Sequence, residues 1–145
     1  MRALKDIPTI PRLHHHGKHK ESDYLVMDLL CGEDMSRARN RARQRGSGLV
    51  VLPAAVYMCR QILRCLKAMH EKGYIHRDVK PANFVRRDRQ TTEFCMVDFG
   101  LAKPFMENGK MRAKRENADF RGTTLYASPY AHEGEDQCPR DDLFR

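Results

Sequence analysis

The sequence predicts a single α+β domain, and three observations carry that prediction. Residues 53–72 place apolar side chains at helical spacing, several shorter apolar runs elsewhere have the length of strands, and 145 residues with 41% hydrophobic content suit one core rather than two. A charged fraction of 32%, a mean hydropathy of −0.70 and no apolar run approaching the ~20 residues of a bilayer span exclude a transmembrane protein. Proline and charge interrupt MRALKDIPTIPRLHHHGKHK where a secretory leader needs an apolar stretch, so a cytoplasmic or nuclear location is expected.

Taken in order, residues 1–30 read as a short segment, a turn and a strand. Ile10–Leu13 is briefly apolar, HHHGKHKESD is polar and Tyr24–Leu30 is nearly all apolar, which suggests a hairpin. His14, His15 and His16 are not expected to hold a metal, because consecutive strand residues point to opposite faces and ligands must converge. Gly46, Ser47 and Gly48 mark a loop. Pro53 suits the first turn of a helix running to about Lys72, with Gly73 as its stop. Cys59, Ile62, Leu66 and Met69 form one apolar stripe on it, read as core. Tyr74–Ile75, Phe84–Val85 and Phe94–Val97 then read as short strands around loops. From Gly100 to Asp136 periodicity fails, and a loop of that length in a compact domain is functional or disordered.

Five cysteines, Cys31, Cys59, Cys65, Cys95 and Cys138, contain no CxxC pair and are odd in number, so reduced thiols are expected. The formal charge of +8 admits nucleic acid, anionic membrane or acidic protein as partner, and charge alone selects none of them. In SRARNRARQRG, Arg37, Arg39, Arg41, Arg43 and Arg45 alternate. They read either as a solvated helix or loop or as an anion-binding patch, and the lack of interleaved aromatic residues argues against bases as its ligand.

The residues that carry chemistry come next. His76, Arg77, Asp78, Val79, Lys80, Pro81, Ala82 and Asn83 spell HRDVKPAN after one short strand, and Asp98, Phe99 and Gly100 spell DFG after another. In that order and spacing the sequence resembles a protein kinase, whose signature has HRD, an Asn five positions after the Asp, then DFG. The resemblance implies an incomplete protein kinase-like α+β fold using ATP and Mg²⁺. Phosphoryl transfer asks the protein to align a hydroxyl with the γ-phosphate and to neutralise charge. By resemblance Asp78 would orient that hydroxyl and accept its proton, Lys80 would lie near the γ-phosphate, and Asn83 and Asp98 would hold Mg²⁺ through oxygen. Lys80 also resembles the lysine of serine/threonine kinases, which implies a Ser or Thr acceptor.

Downstream, Phe120–Ser128 reads FRGTTLYAS and Arg140–Leu143 reads RDDL. Together these resemble the casein kinase I superfamily, nearest its tau-tubulin kinase branch, which also lacks the APE of most kinases. The resemblance implies that Thr123 contacts Asp78 and Lys80, and that Asp142 braces the catalytic loop together with the structural positions His76, Arg77, Phe99 and Gly100. Upstream, LVMDLL resembles the hinge strand, with Met27 as gatekeeper and the backbone of Asp28 and Leu30 facing adenine, although Cys31 before Gly32 departs from the usual spacing. Residues 1–30 would then be the end of the small lobe and the hinge, with Met1–Asp6 as a helix tail, and 31–145 part of the large lobe.

The same signature includes a Gly-rich loop, a strand lysine and a helix glutamate, none of which is found here, and the chain stops at Arg145 where the family's large central helix begins. A partial domain is therefore expected, with apolar surface left in water. Between Gly100 and Gly122 there is no Ser, Thr or Tyr, so activity should not need phosphorylation of that stretch. Lys103, Lys110, Arg112, Lys114 and Arg115 within it either meet an acidic or pre-phosphorylated protein substrate or are merely solvated. A serine/threonine kinase is the leading reading, a non-catalytic binding or regulatory chain the second, and a basic nucleic-acid binder the third, resting on charge alone.

Overall fold

The structure is a computed structural model that describes residues 2–44, 52–115 and 118–144. Arg45, the loop at Gly46, Ser47 and Gly48, and the ends Met1 and Arg145 lie outside the described residues. The chain starts with a 3-10 turn at Arg2–Leu4, where a helix tail was expected, and its apolar side chains Leu4, Ile7 and Ile10 are all buried.

The hairpin forms, but its strands are placed differently from the expectation. β1 (Leu13–His19) pairs antiparallel with β2 (Ser22–Met27), from Leu13↔Met27 to His19↔Ser22, so the polar HHHGKH stretch is strand rather than turn. Backbone pairing with an apolar partner strand, not the hydropathy of its own side chains, decides the matter. The turn is at Lys20, whose φ of 54° is left-handed. The Tyr24 ring lies across Gly17, where a Cβ would stand 2.7 Å from its hydroxyl and would push the exposed ring aside. Tyr24, Leu25, Val26 and Met27 stay 39% to 54% exposed, so β2 does leave apolar surface in water.

The arginine run opens as a solvated helix, α1 (Met35–Ala42). Asp34 caps it by accepting the Arg37 N–H at 2.9 Å, and Met35 is its one buried residue. The segment before it lies along β4 (Phe84–Arg86): Gly32 N–H donates to the Arg86 carbonyl at 3.2 Å, and Arg86 N–H to that of Glu33 at 3.0 Å.

The long helix α2 (Leu52–Glu71) ends at Gly73, whose φ of +78° favours glycine. Its buried face holds Gln61, Cys65, Leu66 and Met69, with Met58 and Ile62 partly covered. Cys59 is exposed, which corrects the expected stripe. It lies seven residues, almost two full turns, before buried Leu66 and so on nearly the same side of the helix. No residue from Leu52 to Arg60 is buried, and β5 (Phe94–Met96) meets α2 further along, at Cys65, so position along the axis leaves Cys59 uncovered. Inside, burial pushes the Cys65 thiol up to about 11, so it stays protonated.

β3 (Tyr74–Ile75) pairs with β6 (Lys103–Pro104), β4 with β5, and β7 (Met106–Glu107) with β8 (Lys110–Met111), all antiparallel. The stretch after Gly100 therefore contains three short strands, a 3-10 turn at Thr124–Tyr126, and helix α3 (Pro129–His132), capped by Ser128. Strands of two residues are too short to leave a period in sequence, and partners such as Tyr74 lie far upstream. Helix α4 (Pro139–Leu143) begins with Cys138 N–H donating to Asp141 at 2.8 Å. The core joins Leu4, Ile7 and Ile10 to Met35, to the α2 face, and to Val79, Phe84, Phe94 and Met96.

Candidate active site

The loop between β3 and β4 is held from beneath by one buried carboxylate. Asp142, on α4, accepts the backbone N–H groups of His76 and Arg77 at 2.8 Å each, and His70 of α2 lies 2.9 Å from the same side chain. These bonds hold Arg77 at a left-handed φ of 68°, which an unsupported non-glycine residue would avoid. His76 is fully buried. Its Nε2 donates to the Val97 carbonyl at 3.1 Å and its Nδ1 accepts the Asp78 N–H at 3.3 Å, which assigns the neutral Nε2–H tautomer. Burial holds its pKa below the usual histidine value, in keeping with that tautomer.

Above this support four predicted residues form one cluster. Asp78 Oδ1 accepts the Thr123 N–H at 3.0 Å and its hydroxyl at 2.7 Å, while Asp78 Oδ2 meets Lys80 Nζ at 2.7 Å and Asn83 Nδ2 at 3.2 Å. Lys80 Nζ also donates to Thr123 Oγ1 at 2.9 Å. Burial pushes the Asp78 carboxyl up, but the bonds from Lys80 and Thr123 outweigh it and hold the group below its ordinary value, so it is a carboxylate at neutral pH. The 3-10 turn at Pro81–Asn83 folds Asn83 back, and its amide also donates to the Asp78 carbonyl at 2.8 Å.

Asp98 sits at the neighbouring strand end. Val97 N–H donates to the Asn83 carbonyl at 2.9 Å, continuing the β4–β5 ladder to the residue before Asp98. Asp98 has a left-handed φ of 64° and an exposed side chain whose Oδ1 accepts the Gly100 N–H at 3.4 Å. Phe99 tilts against His76 with ring centroids 5.5 Å apart. A cavity of about 400 Å³ links Asp98 and Phe99 to Leu25 and Met27 of β2. Asp28 and Leu30 follow β2, outside the hydrogen-bonded cluster. The Asp28 carboxylate is occupied by Arg12 N–H at 3.0 Å and His14 at 2.7 Å, and its own backbone N–H donates to the Arg12 carbonyl at 3.0 Å.

Asn83 spends its amide N–H groups on Asp78, so among the described residues its Oδ1 is open, as is one Asp98 oxygen. Two open oxygens suit Mg²⁺, a hard cation that completes its shell with phosphate and water. Among the described residues no group of three or more His, Cys, Asp or Glu is arranged to hold a metal ion. Of the histidine triplet, His14 bonds Asp28, and His15 stacks on Tyr24 at 5.7 Å.

Two contributors escaped the sequence reading. His70 reads as the end of a helix, and nothing local announces its bond to a residue 72 positions away. Asp136 accepts Lys103 at 2.7 and 2.8 Å and Arg115 at 3.2 Å. Its carboxyl, pushed up by burial, is brought down to about 2 by those bonds. The basic loop is thus partly neutralised, with Arg112 near Glu107 and Lys114 near Glu135 as well. A concavity of about 600 Å³ remains between Arg77, Lys103, Arg112, Arg115 and Arg121, with Asp119 at its wall.

A buried carboxylate bridged to a lysine and a threonine, beside two open oxygens, is compatible with what phosphoryl transfer would ask of a site. Comparison agrees with the geometry. The protein kinase domain model matches residues 1–144, and a probable serine/threonine-protein kinase from Dictyostelium discoideum is 36% identical over 148 residues, covering 99% of this chain and 29% of that protein. The chain belongs to the protein kinase family, and its mixed helices and strands are a partial kinase-like α+β fold. It spans less than a third of that relative's length. Among the described residues no helix is long and apolar enough to cross a membrane.

Proposed function

We propose that residues 1–145 are the hinge, catalytic loop and activation segment of a serine/threonine kinase that transfers the γ-phosphate of ATP to a protein hydroxyl. In this reading residues 1–30 are the end of the small lobe and the hinge, and 31–145 part of the large lobe. The observation that carries it is the convergence of Lys80, Asn83 and Thr123 on the Asp78 carboxylate. Asp78 orients the acceptor hydroxyl and takes its proton, and Lys80 neutralises charge at the γ-phosphate. Asn83 and Asp98 hold Mg²⁺, which when bound offsets phosphate charge. The backbone of Asp28 and Leu30 faces adenine. FRGTTLYAS and RDDL support placement in the casein kinase I superfamily near the tau-tubulin kinase branch. The basic concavity around Arg77 and Arg121 supports a protein substrate that is acidic or already phosphorylated.

The test is transfer of labelled γ-phosphate from ATP by the polypeptide that carries these residues, onto Ser/Thr protein substrates with and without acidic flanks. Asp78→Ala should lower the rate about 10²- to 10⁴-fold with nucleotide binding retained. Equal rates for wild type and Asp78→Ala would defeat the catalytic reading, and nucleotide or peptide binding without any transfer would leave a binding module.

A further inference from the structure

The arginines of α1 take no part in the cluster around Asp78, yet they share a surface with residues far away in sequence. Because segment 31–34 runs along β4, Arg37 and Arg41 of α1 and Arg86 and Arg89 at and after the end of β4 line one concavity of about 470 Å³. Its lining contains a single acid, Glu33, which bonds Arg41 and lies 4.0 Å from Arg86. Asp34, just outside, pairs with Arg37 at 3.3 Å while capping the helix.

Four guanidinium groups against one carboxylate leave the concavity short of anionic oxygens. Arg89 forms no hydrogen bond or ion pair among the described residues, and Arg86 Nε is buried with no hydrogen-bond partner among them. The Arg86 guanidinium lies over the Phe94 ring, 5.9 Å from its centroid, and a guanidinium offers paired N–H groups that match a carboxylate in geometry. No aromatic ring lines the site for a base to stack on. We propose that the concavity between α1 and the β4–β5 turn docks an acidic peptide segment of a partner protein, whose carboxylates occupy the forks of Arg37, Arg86 and Arg89. Docking there is separate from the Asp78 cluster and does not depend on phosphoryl transfer.

The probe is a fluorescein-labelled octaglutamate peptide, titrated with the full chain at about 0.15 M salt and followed by fluorescence anisotropy. Saturable binding is expected, and Arg37→Glu with Arg89→Glu should weaken it by about tenfold or more. The same charge change made at Arg60→Glu with Arg64→Glu, exposed on α2 and outside both basic concavities, should cost less than about threefold. The neutral pair Arg37→Gln with Arg89→Gln should still weaken binding by about threefold, with an unchanged far-ultraviolet spectrum, and serves if charge reversal disturbs folding. Equal losses from the two pairs, absence of saturable binding, or tighter binding of a single-stranded oligonucleotide through the same arginines would each overturn the proposal.

Discussion

Asp142 accepts the backbone N–H of Arg77 at 2.8 Å, so a carboxylate 65 residues downstream holds the one left-handed residue in the turn that presents Asp78. The same carboxylate accepts the His76 N–H, and both donors are withdrawn from water. Asp142→Asn turns one acceptor into a donor facing N–H groups, and a loss of about 1–3 kcal/mol is expected. Urea midpoints check this; a variant as stable as the wild type would show that the turn holds its own shape.

Thr123 bridges Asp78 and Lys80 through its hydroxyl while its backbone N–H separately reaches Asp78. Thr123→Val should therefore spare stability and lower the transfer rate constant about tenfold by loosening the orientation of the carboxylate, with KM little changed. Thr123→Ser should restore most of the rate. A defect in the Ser variant with a near wild-type rate in the Val variant would point to packing of the methyl group instead.

His76 is buried in its neutral form, with a pKa held below the ordinary value of 6.5. Between its lowered folded value and 6.5 the unfolded chain binds the additional proton, so stability is fully present above about pH 6.5 and falls as pH drops through that window. Urea midpoints at a series of pH values should decline on acidification, and His76→Asn should flatten that decline. A wild-type midpoint that rises toward acid would contradict the neutral assignment.

Gly32 lies against the backbone of β4 and the turn after it. A Cβ there would stand 2.8 Å from the Asp88 carbonyl and closer still to Arg86. Gly32→Ala should cost about 1–3 kcal/mol by pushing segment 31–34 off its partner. An unchanged melting temperature would mean that the segment yields freely.

Met69 is fully buried on α2 and Cys59 is exposed on the same helix. Met69→Ala should cost about 2–5 kcal/mol, and Cys59→Ala should stay within about 0.5 kcal/mol. Comparable losses at both positions would restore Cys59 to the buried stripe.

HRDVKPAN and DFG were legible because their chemistry is local: a turn of eight residues needs those side chains in that order, and the strands flanking it are short apolar runs. Helix α2 was legible for a related reason, since twenty residues give a 3.6-residue period room to repeat. Sequence alone therefore determined the class and the helix, and it named beforehand the four side chains that converge at Asp78. The structure alone decided how far along α2 the core extends, that a run of histidines becomes strand, that Lys103 and Arg115 are held by Asp136, and that arginines from α1 and the β4–β5 turn share one surface. Each of these depends on a partner tens of residues away, and a contact of that kind leaves no period or spacing in the chain that makes it.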